Sequence, residues 1–354
     1  MKQGIELIKE LALAFGPPSC EGEVTALIER ELQDCGAELT KDRMGNLLAR
    51  LPGPQGSPRV LLSAHTDEVG FMITEIDDEG FLRFENVGGI HEGVLMGRQV
   101  LLGDEQRRVP GVIAAKGIHV QTAEERKKLP KSSELYIDIG TKDRAESEAL
   151  LSRGDFGVFD VPFTRLGEQG EYMACKALDD RLGCAVLIEL LRAVKDKHLP
   201  LDLYFAFTVR EEIGRSGALV TANRLAPDVA FIIETTAIAD HPLVPEHKRV
   251  ASVGAGGVIS LLDRSTIYDR TLVDLALDCA KVQQIPVQIK KYVSGGNDAA
   301  CIQKSRAGVR CMALSAPTRY LHAPVSVAAV RDFEAMVALL AAVLEKLKGA
   351  LEYV

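Results

Sequence analysis

Three things are scarce in this chain of 354 residues, and each shortage removes a class of function. It has no apolar run long enough to span a bilayer, which takes about 20 residues. The N-terminal MKQGIELIKELALAFGPPS comes closest, but Glu6 and Glu10 interrupt it and no small-residue cleavage site follows, so no signal peptide is expected. There is no excess of positive charge. The formal net charge is −8, and no basic run is interleaved with aromatics, which argues against nucleic acid or an anionic membrane as partner. Nor is any pair of cysteines set at a metal or redox spacing. Cys20, Cys35, Cys175, Cys184, Cys279, Cys301 and Cys311 are scattered and odd in number. They read as small buried hydrophobes in a reducing compartment, and a cytoplasmic location is expected.

What is present has the composition of a globular protein, 47% hydrophobic and 26% charged, enough for one large domain and a smaller one. The chain changes rhythm twice. Residues 1 to 68 read as two helices and then strands; Ile5, Ile8, Leu11 and Phe15 share a helical face, and Gly16-Pro17-Pro18 stops that helix. Residues 69 to 162 are short strands and turns, with FMITEI and FLRFENV flanking Asp77-Asp78-Glu79-Gly80. From residue 163 helices and strands alternate. LDDRLGCAVLIELLRAV reads as an amphipathic helix, LDLYFAFTV and VAFIIET as buried strands, Asp269 to Gln283 as a helix, PVQIKKY and VRCMALSA as strands, and Ser326 to Lys348 as the closing helix. The expected fold is α/β: a mixed-sheet catalytic domain (1–68 and 163–354) with helices on both faces, interrupted by a small all-β insert (69–162).

The apolar strands share an ending. VLLSA runs into His65, with Asp67 two residues on; LYFAFTV leads to the adjacent Glu211 and Glu212; VAFII ends in Glu234; VRCMALSA leads through a loop to His322. Asp179 opens a helix. Ligands of open α/β sheets bind beyond the carboxyl ends of the strands, so these residues describe one pocket. Two imidazoles and three carboxylates form a donor set for two divalent ions, zinc or cobalt. Without cations, Asp179, Glu212 and Glu234 would repel and take up protons. The adjacent glutamates then make chemical sense: one binds a metal, and its neighbour accepts a proton from a bridging water or hydroxide and passes it to a leaving amine. Asp67 is placed to receive the second nitrogen of His65. A lone strand-end histidine is more often structural and a Glu-Glu pair is usually solvated, so the weight lies in their joint occurrence.

The segments AHTDEVGFMI, KALDDRLGCAVLIELL, FTVREEIGRSGA, IIETTAIAD, SGGNDAACI and PTRYLHAPVS resemble, in order, the blocks of the tetrahedral (TET) and glutamyl aminopeptidases, a family of dinuclear metallopeptidases. The resemblance covers nearly the whole chain, including GVIAAKGIH and ELYIDIGTKDRAE in the insert. It implies that Asp179 bridges two metals, with His65 and Glu234 completing one site and Glu212 and His322 the other. Glu211 would be the general base and Asp67 the acid orienting His65. The resemblance also implies short peptides as substrates, a β-rich insert used in dimer contacts, and homo-oligomers reaching a tetrahedral dodecamer. Glu234 stands where many relatives have aspartate, and Asp180, where asparagine is common, is expected to add negative charge.

Other readings remain at this stage. A deacylase or carboxypeptidase would use the same two-metal chemistry, a glycosidase would leave both histidines unexplained, and a non-catalytic peptide-binding relative would be expected to have lost a donor. Gly295-Gly296-Asn297-Asp298 reads as a structural loop opening a helix, with Asp298 as a buttress. Asp240 lines the pocket or caps a loop; Arg319 and Tyr320 are candidate substrate contacts. His91, His119, His198, His241 and His247 read as surface or loop residues.

Overall fold

The computed structural model describes residues 1–351. Helices α1 (Gly4–Leu13) and α2 (Gly22–Leu32) precede strands β1 (Glu38–Lys41), β2 (Leu47–Leu51) and β3 (Arg59–His65). Next come β4 (Gly70–Ile76), β5 (Leu82–Val87), β6 (Gln99–Gly103), β7 (Arg108–Ala114), β8 (Tyr136–Asp138), α3 (Arg144–Leu150) and β9 (Phe156–Phe159). The remainder runs β10 (Thr164–Leu166), β11 (Tyr172–Cys175), α4 (Leu178–Val194), β12 (Asp202–Thr208), α5 (Ser216–Leu225), β13 (Val229–Ala237) and β14 (Gly257–Ile259). It ends with α6 (Arg270–Gln283), β15 (Val287–Ile289), α7 (Ala299–Ile302), β16 (Arg310–Thr318), β17 (Ser326–Ala329) and α8 (Val330–Leu351).

An eight-stranded mixed sheet in the order β1-β2-β12-β3-β13-β16-β14-β15 carries the site. β12, β3, β13 and β16 are parallel, while β2 and β14 run against them. The inner strands are buried along nearly their whole length. That is why they read as unbroken apolar runs: helices cover both faces, so neither side needs polar residues. α4 lies on β3 and β13, with α1, α2 and α8 packed on it; α5 and α7 pack together against β12, β3, β13 and β16. Register then places the chemistry. Thr208 lies opposite His65 and Ile232 opposite Ser63. Two residues beyond Ile232, Glu234 reaches the level of His65.

Between β3 and β10, strands β4-β5-β8-β7-β6-β9 close into a barrel, which leaves no free sheet edge. β7 alternates inward and outward as a barrel strand must. Inside, Phe71 meets Phe84 and Phe159 edge-on, with centroids 5.3 and 5.1 Å apart. The expected turn after β4 forms, with Gly80 at φ +87, a conformation that favours glycine.

Three local expectations change. α4 is buried nearly all round and is not amphipathic, because it is enclosed between the sheet and the helices α1, α2 and α8. The closing helix starts at Val330; Ser326–Ala329 pairs with β11 instead, tertiary pairing overriding its helical pattern. The helix after Asn297 and Asp298 is a single turn, Ala299–Ile302.

One side chain ties the N-terminal segment to the sheet. Arg181 on α4 is wholly buried and donates to Thr66 O after β3, to Leu11 O and Ala14 O at the end of α1, and to Gly16 O and Glu68 Oε1. Lys176 adds bonds to Ala14 O and to both oxygens of Glu68. Truncating such a cation strands a buried carboxylate and several carbonyls. Arg181→Met should lower the free energy of unfolding, measured by denaturant titration, by about 3–5 kcal/mol. Lys41→Met, which breaks an exposed pair with Glu29, should leave the midpoint unmoved.

Candidate metal centre

At the carboxyl ends of β3, β12 and β13 five side chains converge into two groups, His65–Asp179–Glu234 and Asp179–Glu212–His322. His65 ends β3, Glu234 lies on β13, Asp179 opens α4, Glu212 follows β12 and His322 sits between β16 and β17. Asp179 belongs to both groups and divides its oxygens between them. Its Oδ1 lies 3.3 Å from His65 Nε2, and its Oδ2 lies 3.3 Å from His322 Nε2. The outer carboxylates close the groups, with Glu234 Oε1 3.4 Å from His65 Nε2 and Glu212 Oε1 3.4 Å from His322 Nε2.

These spacings test whether cations fit. Nitrogen and oxygen donors bonded to zinc at about 2.0–2.2 Å in a tetrahedron stand about 3.3–3.6 Å apart. The imidazole–carboxylate pairs of both groups already hold that separation. Each imidazole also has its other nitrogen fixed by a main-chain carbonyl: His65 Nδ1 on Asp67 O at 3.1 Å, and His322 Nδ1 on Gly89 O at 2.9 Å. With Nδ1 committed to a carbonyl, Nε2 is the nitrogen that each ring presents to a metal.

The carboxylate of Asp67, expected on His65, is mainly engaged elsewhere. Its Oδ1 is 3.5 Å from His65 Nδ1, while it accepts from Glu211 N at 2.9 Å and its Oδ2 from Glu212 N at 3.0 Å. The amides just before them are held too: Val209 N donates to Asn46 Oδ1 and Arg210 N to Glu21 Oε1. Four consecutive amides thus point at side chains from three separate loops. The turn requires this, because Arg210 adopts φ +58, a left-handed conformation unfavourable for a residue with a Cβ. Gly217 is part of the same construction, since a Cβ there would lie 2.3 Å from Val209 O and 2.4 Å from Asn46 Oδ1. Glu211 has one oxygen, Oε1, bound by Arg215 Nε at 2.8 Å.

Charge is strained without cations. Burial, together with the charge of Asp179, pushes the Glu212 carboxyl up to about 8. For His322, burial works against the charged ring, but Asp179 and Glu212 outweigh it and raise it to about 10. Burial also opposes ionisation of Asp179, yet its two histidine contacts hold it well below the usual range. Burial and the charge of Glu234 push the Asp180 carboxyl well above the usual carboxylate range.

Outside this group the remaining candidates separate. Asp298 is buried, accepts from Thr208 Oγ1 at 2.9 Å and has an unpartnered Oδ1. Asp240 ties loops together, accepting from Arg319 and from Val253 N, and neither Asp240 nor Arg319 lines the cavity. Tyr320 is exposed and stacks on half-buried His241, while His91, His119, His198 and His247 are exposed. Glu21, Asn46, Arg215 and Lys290 were not singled out from the sequence. Glu21 sits at the start of α2, where an acid is common for helical reasons alone and hides its second use.

The site makes a pH prediction for metal-free protein. Glu212 and His322 both have folded pKa values above their unfolded ones. Their contribution to stability is therefore complete below the unfolded values and is lost as pH rises through about 8 and about 10. With chelator present, the melting temperature should fall between about pH 6 and about pH 9; saturating zinc, which replaces the protons, should flatten that slope. Equal slopes in both conditions would mean that the donors do not titrate against metal.

Known proteins match the chain along nearly its whole length. The profile of the M42 glutamyl aminopeptidases matches residues 45–339. The lysyl aminopeptidase of Pyrococcus furiosus is 31% identical over 97% of each chain. A TET aminopeptidase structure from the marine sediment archaeon Thaumarchaeota archaeon SCGC AB-539-E09 superposes with a TM-score of 0.94 at 34% identity, covering 99% of this chain and 98% of its own. The Pyrococcus horikoshii TET1 peptidase, which can assemble into a tetrahedron or a large octahedral shell, gives 0.86 at 37% identity over 96% and 98%. The chain belongs to the M42 aminopeptidase family and is a peptide hydrolase.

Proposed function

We propose that the protein is a dinuclear metal-dependent aminopeptidase that removes N-terminal residues from short peptides. The observation that carries this reading is the division of Asp179 between two donor groups at tetrahedral spacing, with Glu211 on the same pinned turn as Glu212. His65 and Glu234 would hold one divalent cation and Glu212 and His322 the other, Asp179 bridging them. Zinc or cobalt suits this mixture of imidazole and carboxylate. Bound there, the cations supply Lewis acidity towards the scissile carbonyl and make water acidic enough to attack near neutral pH.

The chain's own residues do the rest. Arg215 holds Glu211 Oε1 and fixes the carboxylate's rotamer; among the described residues no protein donor occupies Oε2. Glu211 Oε2 takes the proton of the attacking water and returns it to the leaving amine. Asn46, Glu21 and Asp67 hold the main chain beneath Glu211 and Glu212, so that base and ligand keep a fixed separation. Asp67 also presents its carbonyl to His65.

We further assign residues 1–68 and 163–354 to the catalytic domain and 69–162 to an insert that mediates dimer contacts within a dodecameric assembly. Exposed apolar side chains on the insert, Met96, Ile118, Val120 and Leu129, support an interface there, and so does the assembly of the Pyrococcus horikoshii relative. Seven free cysteines support a cytoplasmic setting. Among the described residues no helix is long and apolar enough to cross a membrane.

The first test is hydrolysis of one peptide series, free or acetylated at the N-terminus, by metal-stripped protein resupplied with zinc or cobalt. Metal-dependent cleavage of the free series alone is expected; cleavage of the acetylated series would turn the assignment to a deacylase or carboxypeptidase. Glu211→Gln should lower kcat by at least about 10²-fold with metal content unchanged, whereas loss of both would remove its role as base. Glu21→Ala should lower kcat about tenfold or more through misplacement of the turn, and Glu21→Gln, which keeps an oxygen acceptor, should restore most of it.

A further inference from the structure

We propose that Lys290 selects substrates whose first residue carries an acidic side chain, an inference that rests on the aminopeptidase reading above. Family membership leaves this open. The family is described as glutamyl, while the Pyrococcus furiosus relative is named lysyl, so members are named for both signs of charge. The cavity holding the metal donors has a volume of about 360 Å³, a size suited to a small ligand. Its lining continues past the donors to Ser260, Asp263, Lys290, Ser294 and Asn297. Lys290 follows β15 directly, and its amide donates to Ile259 O at the end of β14, so the sheet fixes its position.

The other charged groups in the cavity have partners of their own, although Arg215 uses only its Nε. Asp179, Glu212 and Glu234 belong to the donor groups, and Glu211 is paired with Arg215. Asp263 is an anchor for its own loop. Its Oδ1 accepts from Ser265 N and Thr266 N, both at 2.7 Å, and its Oδ2 from Tyr268 Oη at 2.5 Å. The Asn297 amide is spent on Tyr268 Oη and on Ala299 N.

Lys290 is different. Its Nζ donates to the main-chain oxygen of Ser294 at 2.8 Å, and among the described residues no carboxylate lies within ion-pairing distance. An ammonium has three donors, so two remain for a ligand. Burial lowers its proton affinity, with Asp263 and Glu234 opposing that effect in part. A half-buried ammonium short of hydrogen-bond partners gains most from an incoming carboxylate, and it repels a lysine or arginine side chain. Neutral first residues would enter without either effect.

The test compares p-nitroanilides of glutamate, leucine and lysine on zinc-loaded full-length protein. Glutamate should exceed lysine in kcat/KM by at least about tenfold. Lys290→Ala should lower the glutamate-to-leucine ratio at least about tenfold, Lys290→Arg should keep the preference, and Lys290→Glu should reverse it towards lysine. A wild-type preference for lysine, or a ratio unchanged in Lys290→Ala, would overturn the proposal. If no amide is cleaved, the aminopeptidase reading fails by itself, and calorimetric titration with free glutamate and free lysine then decides the role of Lys290. Tighter binding of glutamate, lost in Lys290→Ala, upholds it; equal binding or tighter lysine rejects it.

Discussion

Three carboxylates and two imidazoles, buried or half-buried at the end of one sheet, place an electrostatic demand on everything around them. Left alone, they trap protons, as the raised Glu212 and His322 indicate. The two cations proposed for the site would meet the demand, and Asp179 gives one oxygen to each donor group. A parallel sheet suits this purpose. Its strands end together at one edge, so residues distant in sequence meet there, on the strands or on the loops just beyond them.

Rigidity next to that edge is less easily obtained, because the Glu211–Glu212 turn is a loop with a left-handed residue in it. Side-chain oxygens of Asn46, Glu21 and Asp67 take the place of a sheet's hydrogen-bond ladder there. The buried Arg181, bonded to Thr66 O and Gly16 O, braces the segments from which Asp67 and Glu21 project. The barrel contributes to the same site through Gly89, whose carbonyl orients His322. Insert and sheet therefore act on one centre, although they have separate cores.

How much of this could be read beforehand depended on the range of the interaction. Strand type and order along the chain were legible because burial on both faces leaves long apolar runs. His65, Glu212 and Glu234 stood out because each came at or just after the end of such a run, whereas Asp179 opens a helix and His322 follows in a loop. Ser326–Ala329 was misread as helix because its two alanines and one valine suit either state, and only pairing with β11 decides between them. α4 looked amphipathic because charged Asp180 and Arg181 lie near its start, yet both are buried. Glu21, Asn46 and Lys290 left no signal. Their roles depend on where a side-chain oxygen or ammonium ends up relative to a backbone or a cavity, which spacing along a chain does not encode. The use of Asp67 on the amides of Glu211 and Glu212 was hidden in the same way.

The most direct measurement is anomalous diffraction at the zinc edge from crystals of the zinc-loaded protein. Two peaks about 3.5–4 Å apart are predicted, both in contact with Asp179. One should be completed by His65 and Glu234, the other by Glu212 and His322, with Glu211 outside bonding distance of either. A single peak, or a peak ligated by Glu211, would contradict the division of labour between the two adjacent glutamates.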